Sequence, residues 1–167
     1  MKTQRAVFAA GCFWGVQYYF DQVPGVVKTT VGYTGGHTEN PTYDSVCTHT
    51  TGHAEAVEIE FDPEQVSYKA LLMQFFRMHD PTQLNRQGPD IGDNYRSAIF
   101  YTSQEQHKEA VQVRNATQKR LDTPVVTEIS SVGPFYVAEP YHQKFTERTG
   151  MGMCHIPYAP VAGSGAK

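Results

Sequence analysis

The sequence predicts one α/β or α+β domain built on a mixed sheet, and three observations carry that reading. Strand-like and helix-like runs alternate along the chain, with a strand–helix–strand unit towards each end. The 167 residues are enough for one core and too few for two. Forty per cent of residues are hydrophobic and 19% are charged, the balance of an ordinary globular domain. The net charge of −3 gives no electrostatic footprint for nucleic acid or for a membrane surface. No apolar run approaches the roughly 20 residues that span a bilayer. The opening residues carry no long apolar stretch and no cleavage pattern, so no signal peptide is expected. Three cysteines are an odd number and too few for a disulfide framework, which points to a reducing compartment, the cytoplasm.

Residues 6–10 read as a short buried strand, and residues 14–23 as a helix stopped by Pro24-Gly25. Val26 to Tyr33 is rich in β-branched residues and reads as a strand. The polar segment 34–53 has neither helical nor strand period, and a loop of that length in a small domain is usually functional. Residues 54–61 alternate with period two. Glu55, Val57, Ile59 and Phe61 share the apolar face, expected to be buried; Ala56, Glu58 and Glu60 point the other way, the two glutamates as solvent-side charges. Ser67 caps a helix to about His79, with Leu71, Leu72, Phe75 and Phe76 as its core stripe. Asp80-Pro81 ends it and opens a second long loop, 80–95. Arg96 to Tyr101 is a strand. Ser103 and Gln106 form a capping-box pattern for a helix to about Leu121. Residues 125–129 and 134–137 read as two short strands and 139–147 as a short helix. Thr149 to Cys154 is a glycine-punctuated coil. The domain therefore covers residues 1–155, and 156–167 form a tail expected to be disordered.

Gly11-Cys12-Phe13-Trp14-Gly15 falls where the first strand turns into the first helix. A cysteine there sits at the positive end of the helix dipole, which favours the thiolate and lowers the pKa from about 8.5. The flanking glycines allow a sharp turn. Phe13 and Trp14, the only tryptophan, set apolar surface beside the sulfur, a place for a small apolar group that carries an electrophilic centre. On these residues alone, a buried structural cysteine among core aromatics is the open alternative. Glu55 begins the buried strand face, where desolvation raises its pKa and keeps on it the proton that a general acid needs. The alternative there is a frayed strand start that leaves Glu55 in water. The 34–53 loop adds Tyr43, Cys47 and His49.

These motifs, with Gly32-Tyr33-Thr34-Gly35-Gly36 and Asn40-Pro41-Thr42-Tyr43, Thr51-Gly52-His53-Ala54-Glu55-Ala56-Val57, His79-Asp80-Pro81, Arg86-Gln87-Gly88 and Tyr95-Arg96-Ser97-Ala98-Ile99, come in an order that resembles the methionine sulfoxide reductase A family over roughly residues 5–155. The resemblance implies a two-layer α/β roll, a mixed central sheet with packed helices and a ferredoxin-like core. It implies reduction of the S epimer of methionine sulfoxide, free or peptide-bound, in the repair of oxidised proteins. Thioredoxin or a small dithiol would be the external reductant, with no bound cofactor, metal, nucleic acid or membrane partner. By that resemblance Cys12 is the nucleophile. Phe13 and Trp14 cradle the substrate methyl. Glu55, Tyr43 and Tyr95 surround the sulfoxide oxygen, and Asp90 helps to hold the substrate. His53 takes a supporting role, on the same strand face as Glu55. One departure stands out: many members carry a glutamate two residues after the pentapeptide, and this chain has Gln17, which removes a charge from the helix of the nucleophile.

A sulfoxide sulfur becomes electrophilic once its oxygen is protonated or strongly hydrogen-bonded. Attack by Cys12 releases methionine and leaves a sulfenic acid, which a second thiol resolves to a disulfide. Cys154 and Cys47 compete for that task. Cys154 lies in the glycine-rich coil and matches a recycling cysteine of the family, so it is the expected partner; many relatives carry a further cysteine beyond it, and this chain has none. Three rival readings exist, the weakest a non-enzymatic interaction module, in which an exposed-loop nucleophile would be a liability. A metal-binding module could use Cys47, His49, His53, Cys154 and His155, although no CxxC or HxxxH spacing is present. A cysteine hydrolase would need a base beside Cys12.

Overall fold

The structure, a computed structural model, describes residues 2–152. Cys154 and the tail 156–167 lie outside the described residues. In chain order the elements are β1 (Gln4–Ala10), α1 (Phe13–Asp21), β2 (Val26–Thr34), α2 (Tyr43–Val46), β3 (Ala54–Phe61), α3 (Tyr68–Met78), β4 (Arg86–Gln87), β5 (Asp90–Ile91), β6 (Ser97–Tyr101), α4 (Gln104–Gln118), β7 (Glu128–Ser131), β8 (Tyr136–Val137) and α5 (Phe145–Thr149). Two 3-10 turns, Asp93–Tyr95 and Pro140–His142, stand before β6 and α5. The main sheet has the order β7-β6-β1-β3-β2-β8. Its neighbours pair antiparallel except β6 and β7, which are parallel, so the sheet is mixed as expected. β4 and β5 form a separate two-stranded ribbon.

One sheet face carries the larger core. Ala6, Phe8, Val57, Ile59 and Phe61 pack there against Val16 and Phe20 of α1 and Leu71, Leu72 and Phe75 of α3. The other face is not open to water over the centre of the sheet. Val7, Ala9, Ala54, Ala56, Ala98 and Phe100 form a second, smaller core with Val132 and Phe135 packed on it. This corrects the simple in–out alternation of β3: Ala56 is buried, whereas Glu60 is exposed and Glu58 pairs with Arg5 at 2.5 Å. It also explains why β1 reads as a continuous apolar run, as a strand covered on both faces does.

The helix starts behave as their sequences require. Ser67 Oγ accepts from the Ala70 N–H at 3.0 Å, and Ser103 Oγ from the Gln106 N–H at 3.2 Å. Gln106 does not close the box on Ser103; its Oε1 accepts from the N–H of Thr102, and its Nε2 donates to the Arg5 carbonyl, tying α4 to β1. Three expected boundaries shift. Val125 and Val126 donate to Gln118 and Pro81 rather than to a strand, so β7 begins only at Glu128. The expected 134–137 strand is paired only at Tyr136–Val137. The 139–147 helix is broken by Lys144 in a left-handed conformation, φ 58°, which splits it into the 3-10 turn and α5. No helix among the described residues is long and apolar enough to cross a membrane.

Candidate active site

Strand pairing gathers the predicted residues at one end of the sheet. Ala10 at the end of β1 lies opposite Ser97 at the start of β6, and Tyr33 near the end of β2 lies opposite Glu55. Gly11 then turns the chain at φ 95°, a conformation that a residue with a β-carbon rarely adopts. Cys12 follows as the N-cap of α1 with non-helical backbone. Gly15 lies within α1 and is buried, so of the two flanking glycines only Gly11 makes the turn. Cys12 and Cys47 are both half-buried thiols.

Glu55 is 1% exposed. Its Oε1 accepts the backbone N–H of Phe13 at 3.3 Å, and its Oε2 accepts Asn94 Nδ2 at 3.2 Å. The Phe13 N–H is one of the donors that a helix start leaves without an intrahelical partner, so the carboxyl docks one residue from Cys12. Burial pushes Glu55 up to about 8 against the pull of these two donors, and the charge of Asp90 adds to the rise. At neutral pH the carboxyl is mostly protonated.

Tyr43 and Tyr95 flank this acid. Burial raises both phenols, and the charge of Glu55 raises them further. Tyr43 also senses Tyr95, and Tyr95 senses Cys47 and Cys12. The structure thus brings Cys12, Glu55, Tyr43, Tyr95 and Asp90 together. Tyr95 ends the 3-10 turn that Arg96 braces, donating from Nη1 to the Asp93 carbonyl and from Nε to Glu128, both at 3.0 Å. Tyr43 opens the one-turn helix α2, where Thr42 and Ser45 form a capping box. Its N–H donates to Glu139 Oε2 at 3.0 Å, and Glu139 Oε1 accepts the Tyr33 hydroxyl at 2.9 Å. Cys47 is hydrogen-bonded to the Tyr43 hydroxyl, and burial raises its thiol.

The apolar side is built differently for its two aromatics. Phe13 is fully buried, with Tyr33 and His142 5.6 and 5.3 Å away between ring centres, and makes the floor. Trp14 is partly exposed and stacks on Phe145, ring centres 3.9 Å apart. Its Nε1 donates to His142 Nδ1 at 2.9 Å. A β-carbon on Gly152 would lie 3.0 Å from Trp14 Cβ, so the C-terminal chain runs against the indole.

His53 is placed elsewhere. Its Nδ1 accepts the Gly36 N–H at 3.0 Å and its Nε2 donates to the Thr38 carbonyl at 2.7 Å, so its ring fastens the loop after β2 and has no nitrogen left for Glu55. Gln17, 1% exposed, donates to the Thr29 carbonyl and hydroxyl at 3.3 and 3.2 Å and accepts the Lys144 N–H at 2.7 Å. A residue able to donate and accept at once thus joins α1, β2 and the start of α5. Among the described residues no three His, Cys, Asp or Glu side chains converge as metal ligands.

A family model described as peptide methionine sulfoxide reductase matches residues 4–165. The peptide methionine sulfoxide reductase MsrA of Methanothermobacter thermautotrophicus is 52% identical over 157 residues, which is 93% of this chain and 93% of the relative. Reduced Mxr1 from Saccharomyces cerevisiae has a similar structure, with a TM-score of 0.84 and 30% identity over 98% of this chain and 91% of its own. The complex of Mxr1 with Trx2 shares the fold, with a TM-score of 0.60, 24% identity and coverage of 86% and 85%.

This chain belongs to the peptide methionine sulfoxide reductase family.

Within this reductase fold, three residues that sequence reasoning missed shape the site: Asn94, Glu139 and His142. Asn94 precedes the recognised Tyr95 and is fully buried, a position where an amide must have a polar task. Glu139 and His142 flank Pro140-Tyr141, and Pro140 opens the 3-10 turn. Their partners lie about a hundred residues away in sequence, beyond the reach of any local pattern.

Proposed function

We propose that this chain reduces the S epimer of methionine sulfoxide, free or peptide-bound, to methionine, and so repairs oxidised proteins. The external reductant is thioredoxin or a small dithiol, and no bound cofactor takes part. The observation that carries this reading is Glu55: a buried, protonated carboxyl docked on the first N–H of the helix that Cys12 caps, with Tyr43 and Tyr95 beside it.

The sulfoxide oxygen takes the proton of Glu55 and the hydroxyl donors of Tyr43 and Tyr95, which makes the sulfur electrophilic. The helix start favours Cys12 as a thiolate, which adds to that sulfur. The oxygen then passes to the Cys12 sulfur as the new sulfur–sulfur bond and the substrate sulfur–oxygen bond break, which leaves a Cys12 sulfenic acid and releases methionine reduced by two electrons. The Cys154 thiol then attacks Cys12, water leaves, and the resulting disulfide is reduced by the external dithiol. The net reaction turns a sulfoxide and a dithiol into methionine, a disulfide and water. Gly152 lies against Trp14, and Cys154 follows two residues later, a span of at most about 7 Å. That supports Cys154 as the resolving thiol over Cys47, whose sulfur is engaged with Tyr43. One catalytic domain, residues 1–155, does this work, and thiol chemistry of this kind suits a reducing cytoplasm.

Trp14 over the Phe13 floor takes the methyl, Asp90 helps to hold the substrate, and Cys12 approaches from a third direction. In the R epimer the oxygen would meet the indole and leave buried donors unpaired, at about 1–3 kcal/mol each. The test is methionine release from separated epimers with a dithiol and no added metal. The S epimer is consumed and the R epimer is left; comparable rates would overturn the geometry. Cys12→Ser, folded by circular dichroism, releases nothing; wild-type turnover in that variant would remove the mechanism.

A further inference from the structure

We propose that His142 is a positioning residue for the sulfoxide, fixing through Trp14 the orientation of the surface on which the substrate methyl rests. The proposal builds on the reading of the site as a sulfoxide reductase. His142 is 0% exposed and lies among Phe13, Trp14, Tyr43 and Tyr141, with ring centres 5.3, 5.7, 4.5 and 4.0 Å away. An indole N–H can only donate, so His142 Nδ1 accepts from Trp14 at 2.9 Å and the ring proton sits on Nε2. Nε2 has no hydrogen-bond partner among the described residues. A phenyl ring would fill this space without burying an unpaired donor, so packing alone does not account for an imidazole here. Burial holds the imidazole below its usual range although Glu139 opposes it, and the neutral ring keeps its acceptor.

The acceptor has a geometric use. The stack on Phe145 sets the plane of the indole, but stacked rings slide and rotate within their plane. A directional bond from Nε1 removes that rotation. The same 3-10 turn also acts on Tyr43, whose ring stacks on Trp14 with centres 6.4 Å apart. Glu139, its N-cap, holds the Tyr43 N–H and the Tyr33 hydroxyl. One turn, opened by Pro140, thereby fixes both the methyl side through Trp14 and the oxygen side through Tyr43.

Trp14 is the only tryptophan, so its fluorescence reports the contact directly. Single-turnover methionine release is measured against concentration of the S sulfoxide, for His142→Phe, for His142→Asn and for both on a Trp14→Phe background. His142→Phe keeps a ring but no acceptor, whereas Asn places an amide oxygen where Nδ1 stood. His142→Phe raises the half-saturating sulfoxide concentration about tenfold, the effect of about 1.4 kcal/mol, lowers the rate at saturation far less, and shifts the Trp14 emission. His142→Asn recovers most of the affinity. On the Trp14→Phe background His142→Phe adds no further loss. If it loses as much there, or if Asn is no better than Phe, His142 is only structural and the proposal falls. Should His142→Phe not fold, the sole tryptophan is replaced by benzothienylalanine, which keeps the shape of the indole without its N–H. The same tenfold rise then supports the proposal and an unchanged affinity overturns it. Absence of any methionine release from the wild-type chain would instead refute the function itself.

Discussion

Glu55 keeps its proton because burial outweighs the two donors aimed at it. If Glu55 is the acid of the proposed mechanism, the expected upper pH limit of sulfenic acid formation lies near 8, since above it the acid form is lost. In Glu55→Gln that step is slower by several orders of magnitude and the limb near pH 8 disappears, while Cys12 still reacts with alkylating agents; rapid-quench single turnovers across pH read both. Stability follows the same group. The unfolded carboxyl titrates near 4.5 and the folded one near 8, so the unfolded chain releases its proton first as pH rises. Stability from this site is full below pH 4.5 and falls between 4.5 and about 8. Thermal melts of Glu55→Gln against wild type therefore shift in favour of the variant across that window. Asn94→Ala removes the donor to Oε2, which leaves burial less opposed. Its upper limb moves above pH 8 and its plateau rate falls, and a limb that stays in place would show that Asn94 does not tune the acid. Glu55 is legible in the sequence because a charged residue interrupts an apolar strand face. Asn94 is not, because its partner lies on β3, about forty residues away, and nothing in Gly92-Asp93-Asn94-Tyr95 marks it as buried.

The regular elements are legible for a physical reason: their periods are set by what they bury. β3 begins and ends where alternation places it, and α3 starts at the cap that Ser67 offers. The segments that carry function are read less well. The 34–53 stretch hides the one-turn α2, and the 80–95 stretch hides the β4–β5 ribbon and the turn of Tyr95, because each is too short to show a period and α2 is tied to the distant Glu139. Gln17 shows how one side chain can join elements. In this chain it is a junction more than a lost charge, since its amide holds Thr29 on β2 and the Lys144 N–H before α5. Gln17→Leu keeps the apolar volume but strands these groups, at about 1–3 kcal/mol for each one left unpaired. Urea unfolding then shows a lower midpoint with an unchanged slope. Amide exchange quickens first at Lys144 and α5, the elements that carry Phe145 beneath Trp14. Equal protection of α5 in both proteins would show that Gln17 does not hold it.

Across the whole molecule the two described cysteines, Cys12 and Cys47, have unequal surroundings, and the expected recycling route follows from that. Cys12 caps a helix, Cys47 is raised by burial and bonded to Tyr43, and Cys154 follows the chain that passes Trp14 at Gly152. Both Gly150 and Gly152 have positive φ, 73° and 92°, conformations that commit this stretch to neither strand nor helix. A disulfide needs Cα atoms roughly 4.4–6.8 Å apart, and Cys47 is fixed at the end of α2 with its sulfur bonded to Tyr43. Cys154→Ser therefore releases one equivalent of methionine per chain, because attack and release need only Cys12. It then stalls as the sulfenic acid with thioredoxin, whose active-site thiols have no disulfide to open, while a small dithiol restores turnover by reaching Cys12 directly. Cys47→Ser turns over with either reductant, with a modest change where the Tyr43 hydroxyl loses its sulfur partner. Peptide mapping after one turnover separates the two thiols: a Cys12–Cys154 disulfide is the expected product, and a Cys12–Cys47 disulfide as the main species would move the resolving role to α2 and make the C-terminal segment dispensable for recycling.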